Sequence, residues 1–250
     1  MYHFFVEPQQ IHIDDKSVII VGSDVNHIKN VLRMKIGEEI AVSNGQDGKE
    51  YRCGIREYLE DAVDCELRFI KEDGVELPSR IYLFQGLPKS DKMELIIQKA
   101  VELGAYQVIP VAMKRCVVKL DERKAASKVA RWQSIAEAAA KQSKRGIIPQ
   151  VTEVMTFAEA IEYSRKAQMR LVPYELAEGM NQTRQLIEGL LPGQDIAVFI
   201  GPEGGFDEEE IRKAMEDGMQ TITLGKRILR TETAGMTVLS ILMYHLESSI

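Results

Sequence analysis

The sequence predicts two parts in series: a small N-terminal β-barrel-like domain over residues 1–72 and an α/β domain with a mostly parallel sheet over residues 73–250. Three observations predict this. Residues 1 to 72 carry short β-type runs separated by turn signals such as NGQDG. A polar stretch, KEDGVELPSR, then interrupts the pattern as a linker does. From Ile81 onward apolar strands alternate with helical patterns, which is how a sheet covered by crossover helices reads.

In chain order, the first part holds strands at His3 to Val6, Ser17 to Val21, Glu39 to Ser43, Tyr51 to Leu59 and Val63 to Ile70. One short helix is expected from Asn26 to Met34, with Asp24 or Asn26 as its cap. The second part places strands at Ile81 to Gln85, Gln107 to Pro110, Arg170 to Pro173, Ile196 to Ile200 and Thr221 to Leu224. Helices are expected near Asp91 to Leu103, Asp121 to Lys144, Thr156 to Arg165, Asn181 to Leu190, Asp207 to Asp217 and Glu232 to Glu247.

With 45% hydrophobic and 28% charged residues, the chain has the composition of a soluble globular protein. No apolar run reaches the ~20 residues a membrane helix needs, and MYHFFVEPQQ lacks the basic-then-apolar start of an export signal. The expected location is the cytoplasm, with no membrane partner. Cys53, Cys65 and Cys116 show no ligand or CxxC spacing, and His3, His12, His27 and His245 have none either. Reduced core cysteines and no metal are therefore expected. A net charge of −6 argues against a polyanionic partner, but its distribution does not. Between Lys114 and Arg145 stand ten basic residues against Asp121, Glu122 and Glu137, a local charge of +7. Such a stripe either guides nucleic acid to one face or is a solvated helix face.

Two strand-to-helix junctions carry the chemical interest, because open α/β sheets bind ligands beyond the carboxyl ends of their strands. In the first, IAVFI runs into GPEGGF and DEEE, where Asp207 and Glu210 have capping-box spacing. In the second, TITLG runs into KRILR and TETAGM, with Thr231 or Glu232 expected to cap the last helix. Neither matches a phosphate-binding pattern. Leu224, Ile228 and Leu229 instead suit a mostly apolar ligand such as an adenine ring.

The segments QGLPKSDKMELIIQKAVELG, RWQSIAEAAAKQSKR, FIGPEGGF, LGKRILRTETA and HIKNVLRMKIGEEI resemble, in order and over nearly the whole chain, the RsmE-type small-subunit rRNA uridine-N3 methyltransferases of the SPOUT superfamily. The resemblance implies a PUA-like RNA-binding domain, a C-terminal trefoil-knot α/β domain, a homodimer built around the knot, and S-adenosyl-L-methionine as methyl donor. Periodicity alone never shows a knot, since chain threading is excluded by default. Carried over residue by residue, the cofactor loops map onto Gly201, Pro202, Glu203 and Gly204, then onto Leu224, Gly225, Ile228, Leu229 and Arg230, with Thr233 and Ala234 opening the last helix. Val172, Pro173 and Tyr174 would form a third wall.

The implied reaction is methylation at N3 of a specific uridine in 16S rRNA, either free or in the assembled small subunit. Removing an imide proton and aligning the nitrogen with an electrophilic methyl calls for positioning and charge stabilisation. Arg230 is the expected partner of the charge that develops on the uracil. Glu232 is the nearest base, although a carboxylate at a helix start is stabilised in its charged form; Glu203 is a second candidate. For RNA the expected contacts are Arg33, Lys35, Lys89, Lys92, Arg115, Arg123 and Arg145. Two rival readings remain at this stage: an RNA-binding assembly factor without chemistry, and a knotted methyltransferase acting on a ribose hydroxyl of transfer RNA.

Overall fold

A computed structural model describes residues 1–248 except Asp73, Leu176 and Glu178. Asp73, within the expected linker, thus lies outside the described residues. The chain divides into two compact units: Met1–Glu76 with Ala140–Ile148, and Leu77–Ala139 with Pro149–Ile250.

The first unit is a six-stranded sheet of β1 (Tyr2–Phe5), β2 (Ile11–His12), β3 (Ser17–Val21), β4 (Glu39–Ser43), β5 (Glu50–Tyr58) and β6 (Ala62–Lys71), in the order β1-β4-β5-β6-β3-β2. Only the β1–β4 pair is parallel. Alternation along the strands sends Val18, Ile20, Ile40, Val42, Cys53, Ile55, Val63 and Cys65 into one core. The expected helix lies three residues earlier, over Ser23–Val31, and is irregular. An α-helical turn, α1 (Ser23–Asn26), follows Gly22 and passes into a π-helical run over His27–Val31, so neither Asp24 nor Asn26 caps it. Wider π turns of this kind recur at functional sites. They bring Ile28 fully into the core.

Residues 140–148, of which 140–144 are expected as the tail of the long basic helix, belong with this unit. Ile148 N–H donates to the Gly45 carbonyl at 3.0 Å. The Arg145 guanidinium pairs with Glu76, whose carboxylate also accepts the N–H groups of Gly146 and Ile147 at 3.1 and 3.2 Å.

The second unit contains a seven-stranded parallel sheet: β7 (Ile81–Gly86), β8 (Gln107–Ala112), β9 (Gln150–Val151), β10 (Met155–Thr156), β11 (Met169–Pro173), β12 (Ile196–Ile200) and β13 (Gln220–Ile222). Its order is β10-β8-β7-β12-β11-β13, with β9 also pairing with β8. The central strands IYLFQG and IAVFI are buried along their whole length, as strands covered on both faces must be. Phe84 and Phe199 stack across them with ring centroids 4.3 Å apart. The helices are α2 (Lys92–Glu102), α3 (Glu122–Ser143), α4 (Phe157–Ser164), α5 (Met180–Glu188), α6 (Glu208–Glu216) and α7 (Thr231–Glu247). The anticipated capping box is present on α6, where Asp207 accepts from Glu209 N–H and Glu210 reciprocates. On α7 the expectation fails: the cap position is Arg230, with no side-chain capping bond.

All three cysteines are buried and free. Burial pushes the Cys53 and Cys65 thiols up to about 12, so neither forms a thiolate near neutral pH. Among the described residues no helix is long and apolar enough to cross a membrane, and no group of His, Cys, Asp and Glu could hold a metal ion.

Candidate active site

Beyond the carboxyl ends of β11, β12 and β13 the loops at 173–175, 201–206 and 223–230 enclose a cavity of about 370 Å³, closed on the remaining side by the first turn of α7 and by Lys92. Strand registers align these ends, since β11 pairs with β12 on one side and β13 on the other. Two bonds fix the loops: Tyr174 N–H donates to Ile222 O at 3.0 Å, and Thr223 N–H to the Thr183 hydroxyl at 3.0 Å. Gly225 turns with φ 111°, a conformation that side chains bearing a Cβ rarely adopt.

Buried Ile200 and Phe206 form the floor. Leu224, Leu229, Pro173, Pro202 and Ala234 supply apolar walls, and Ile228 lines the cavity while remaining 85% exposed. At the rim stand Arg227 and Arg230, both exposed and without an ion pair among the described residues.

The opposite rim is acidic and already engaged. The Glu203 carboxylate accepts the Lys89 N–H at 3.1 and 3.3 Å and pairs with Lys92 Nζ at 3.0 Å. The same ammonium lies 3.5 Å from Glu232 Oε2, a buried oxygen with no hydrogen bond. Burial alone would raise the Glu203 pKa, but the Lys92 contact and backbone N–H groups outweigh it and hold the carboxyl below its ordinary range. A carboxylate held ionised in this way is a poor base. Lys92 is the first residue of α2, where the helix dipole disfavours a cation; its two carboxylates offset that placement.

Of the residues expected to bind cofactor, eleven line the cavity: Pro173, Tyr174, Gly201, Pro202, Glu203, Leu224, Gly225, Ile228, Leu229, Arg230 and Ala234. Three do not. Val172 is 1% exposed beneath the loop, Gly204 packs on Arg115 outside the turn, and Thr233 projects from α7 to solvent. Thr223, Glu175, Phe206 and Gly205 join the lining without having been anticipated, and so does Arg227, expected only to flank it. Arg227 was foreshadowed by the KRILR segment and Phe206 by the apolar end of GPEGGF.

The expected RNA contacts divide more sharply. Arg33 and Lys35 are exposed in the first unit, Arg33 with a left-handed φ of 51°. In the second unit Lys89 and Arg123 are exposed, and Arg115 donates to Gly204 O at 3.3 Å. Lys92 is held by its two carboxylates. Arg145 is a correction: it is 4% exposed and clamped on Glu76, a partner 69 residues away. A separate cleft between α4 and α6 has its cations paired internally, Lys114 with Asp207, Lys213 with Glu209 and Arg165 with Asp217.

Fold and cavity together define a class, a parallel α/β domain with an apolar-walled small-molecule cavity beyond its strand ends, in a chain that also carries a small β unit. The family described as RNA methyltransferase domain matches residues 75–243, and the RNA methyltransferase PUA domain matches residues 20–57. Ribosomal RNA small subunit methyltransferase E of Bacillus subtilis is 38% identical over 99% of this chain and 98% of its own length. The crystal structure of a ribosomal RNA small subunit methyltransferase E from Neisseria gonorrhoeae bound to S-adenosyl methionine superposes with a TM-score of 0.80 at 31% identity, covering 98% of this chain and 97% of that one. A crystal structure described as that of a hypothetical protein gives 0.89 at 37% identity, covering 98% and 99%. The chain belongs to the ribosomal RNA small subunit methyltransferase E family.

Proposed function

We propose that this chain methylates N3 of a specific uridine in the 16S rRNA of the small ribosomal subunit, with S-adenosyl-L-methionine as donor. The observation that carries this reading is the apolar cavity of about 370 Å³ with the unpaired Arg227 and Arg230 at its rim. Its residues fit the donor: Leu224, Leu229 and Ile228 suit the faces of an adenine, loop backbone its edge, a guanidinium its carboxylate, and Glu203 its positive charge. When bound, the donor supplies an electrophilic methyl group. The protein's own residues then have three tasks. They orient the uracil, stabilise the negative charge that develops on it, and receive the N3 proton. Arg230 takes the second task through O2 or O4. Glu232 takes the third: its Oε2 is buried near the rim, accepts no hydrogen bond and stands 3.5 Å from the Lys92 ammonium, a looser hold than the 3.0 Å contact and backbone N–H that keep Glu203 ionised. Lys92 and Glu203 hold the opposite rim in place.

The trefoil threading of the SPOUT class is part of this reading. The chain path supports it: from β13 at the sheet edge the chain returns past β11 and begins α7 with Thr231 bonded to Gly201, beyond β12. A homodimer is supported by apolar exposure on α7 and the loop before it, with Ile228 85%, Tyr244 74% and Ile241 38% exposed. RNA would be held by Arg33 and Lys35 on the first unit and by Lys89, Arg115 and Arg123 on the second. The substrate makes the cytoplasm the place of action.

The test uses small subunits and free 16S rRNA from a strain lacking the activity, incubated with the protein and labelled donor and then digested for mass analysis. N3-methyluridine is the expected product. A ribose-methylated nucleoside, or no product from either RNA, overturns the reading.

A further inference from the structure

Gln85 is the penultimate residue of the central strand β7 and has no solvent exposure. Its side-chain Nε2 donates to Gly86 O at 2.9 Å and to the Thr231 hydroxyl at 2.8 Å. The Thr231 hydroxyl in turn donates to Gly201 O at 2.6 Å. Its one hydrogen cannot also go to Gln85, so the amide donor fixes the direction of the whole relay. Thr231 is the first residue of α7, and its hydroxyl reaches across to Gly201 rather than serving the end of its own helix. Gly201 and Thr231 both line the cavity, while Gln85 does not.

Stability alone does not account for this glutamine. Its Oε1 is buried and accepts nothing, a desolvation loss that an apolar side chain of the same size would avoid. Such an orphaned group in a native core calls for another reason. The strand end is held close to the cavity wall: a Cβ on Gly86 would meet Pro202 at 2.7 Å, so β7 approaches the 201–206 turn closely only because glycine stands there. A Cβ on Gly235 would rest 3.7 Å from the orphaned oxygen.

We infer that Gln85 is a positioning residue for the donor site, fixing through Thr231 the relative placement of the Gly201 wall and the start of α7, without touching the ligand. This rests on the reading of the cavity as the S-adenosyl-L-methionine site. It differs in kind from the roles of Arg230 and Glu232, which act at the rim.

The experiment compares Thr231→Val, Thr231→Ser, Gln85→Met and the double variant Gln85→Met/Thr231→Val with wild type. Circular dichroism melts first establish a temperature at which each is folded; there S-adenosyl-L-methionine is titrated by calorimetry, and amide exchange is followed in the ligand-free proteins. Thr231→Val and Gln85→Met should each weaken binding about tenfold, the double variant no more than the weaker single one, and Thr231→Ser should bind like wild type. Exchange should rise in residues 200–206 and 223–231 together. Wild-type affinity in folded Thr231→Val and Gln85→Met, or additive losses in the double variant, would overturn the relay. If wild type itself fails to bind the donor, the cavity reading falls, and exchange still decides: unchanged protection of the two loops in Thr231→Val would sink the relay as well.

Discussion

Two cationic stretches of this chain look alike in sequence and behave in opposite ways. Between residues 114 and 145, six of the ten cations, Lys114, Arg115, Lys124, Arg131, Lys141 and Arg145, meet a carboxylate, all but Lys124 one far away in sequence: Asp207, Glu94, Asp24 or Glu76. In the 223–231 loop Lys226, Arg227 and Arg230 are exposed and meet none among the described residues. A paired cation contributes geometry, whereas an unpaired one beside a cavity can still answer a charge that arrives with a ligand or develops during a reaction. Counting charges along a sequence does not separate the two cases.

The largest expected effect falls on Arg145. Its side chain is 5% exposed and that of Glu76 17%, so Arg145→Ala strands a largely buried carboxylate. The expected result is a loss of ~3–5 kcal/mol in the stability of the first unit, measured by urea denaturation. Loss of RNA affinity at unchanged stability would instead return Arg145 to the RNA-binding set.

At Arg230 the expected effect is kinetic. Arg230→Ala should lower kcat by roughly 100-fold, with little change in RNA affinity, because charge on the uracil appears only as methyl transfer begins. Arg230→Lys should recover only part, since an ammonium cannot make a planar two-pronged contact. Near-normal single-turnover rates would move the reacting centre away from this loop. Gly225→Val tests the wall beside it: at φ 111° a β-branched residue is strained, and donor affinity should fall about tenfold or more in a folded protein.

Lys92 sharpens the comparison through pH. Glu203 has a depressed folded-state pKa, so its charge contributes above the unfolded value and is lost as pH falls through the folded one. Lys92→Met removes the strongest opposing contact and leaves burial, so the acid limb of donor affinity should move to higher pH. An unmoved limb would show that Glu203 is not required in its charged form. The smallest effect belongs to Arg123, exposed on α3 and without an ion pair among the described residues. Arg123→Glu should reduce the salt slope of RNA binding by about 0.7–0.9 for one lost phosphate contact, whereas Lys124→Glu, at a residue already paired with Asp121, should reduce it less.

Much of the fold was legible, and the exceptions share a cause. Fully buried strands such as IAVFI and a local capping box such as Asp207 with Glu210 leave their mark within a few residues. The two-residue strands β2, β9 and β10 are too short to show a period. In the site, the cavity loops were legible as glycine-rich turns after strands. Thr231 was misjudged because its hydroxyl goes to Gly201, 30 residues back, and Arg145 because Glu76 is 69 residues away. The Gln85 amide stands 146 residues from Thr231 and left no local trace.

The return of residues 140–148 to the first unit bears on how the chain is made. A nascent polypeptide released as far as Glu76 carries the six strands but neither Arg145 to neutralise that glutamate nor Ile148 to satisfy the Gly45 carbonyl. At ~5–20 residues per second, several seconds of translation separate the end of the sheet from the segment that completes it. The first part of the chain to be synthesised is therefore finished late. During that interval it is held only by the core and strand pairing within its first 76 residues, and a genetic cut placed at the apparent domain boundary would prolong that unfinished state indefinitely.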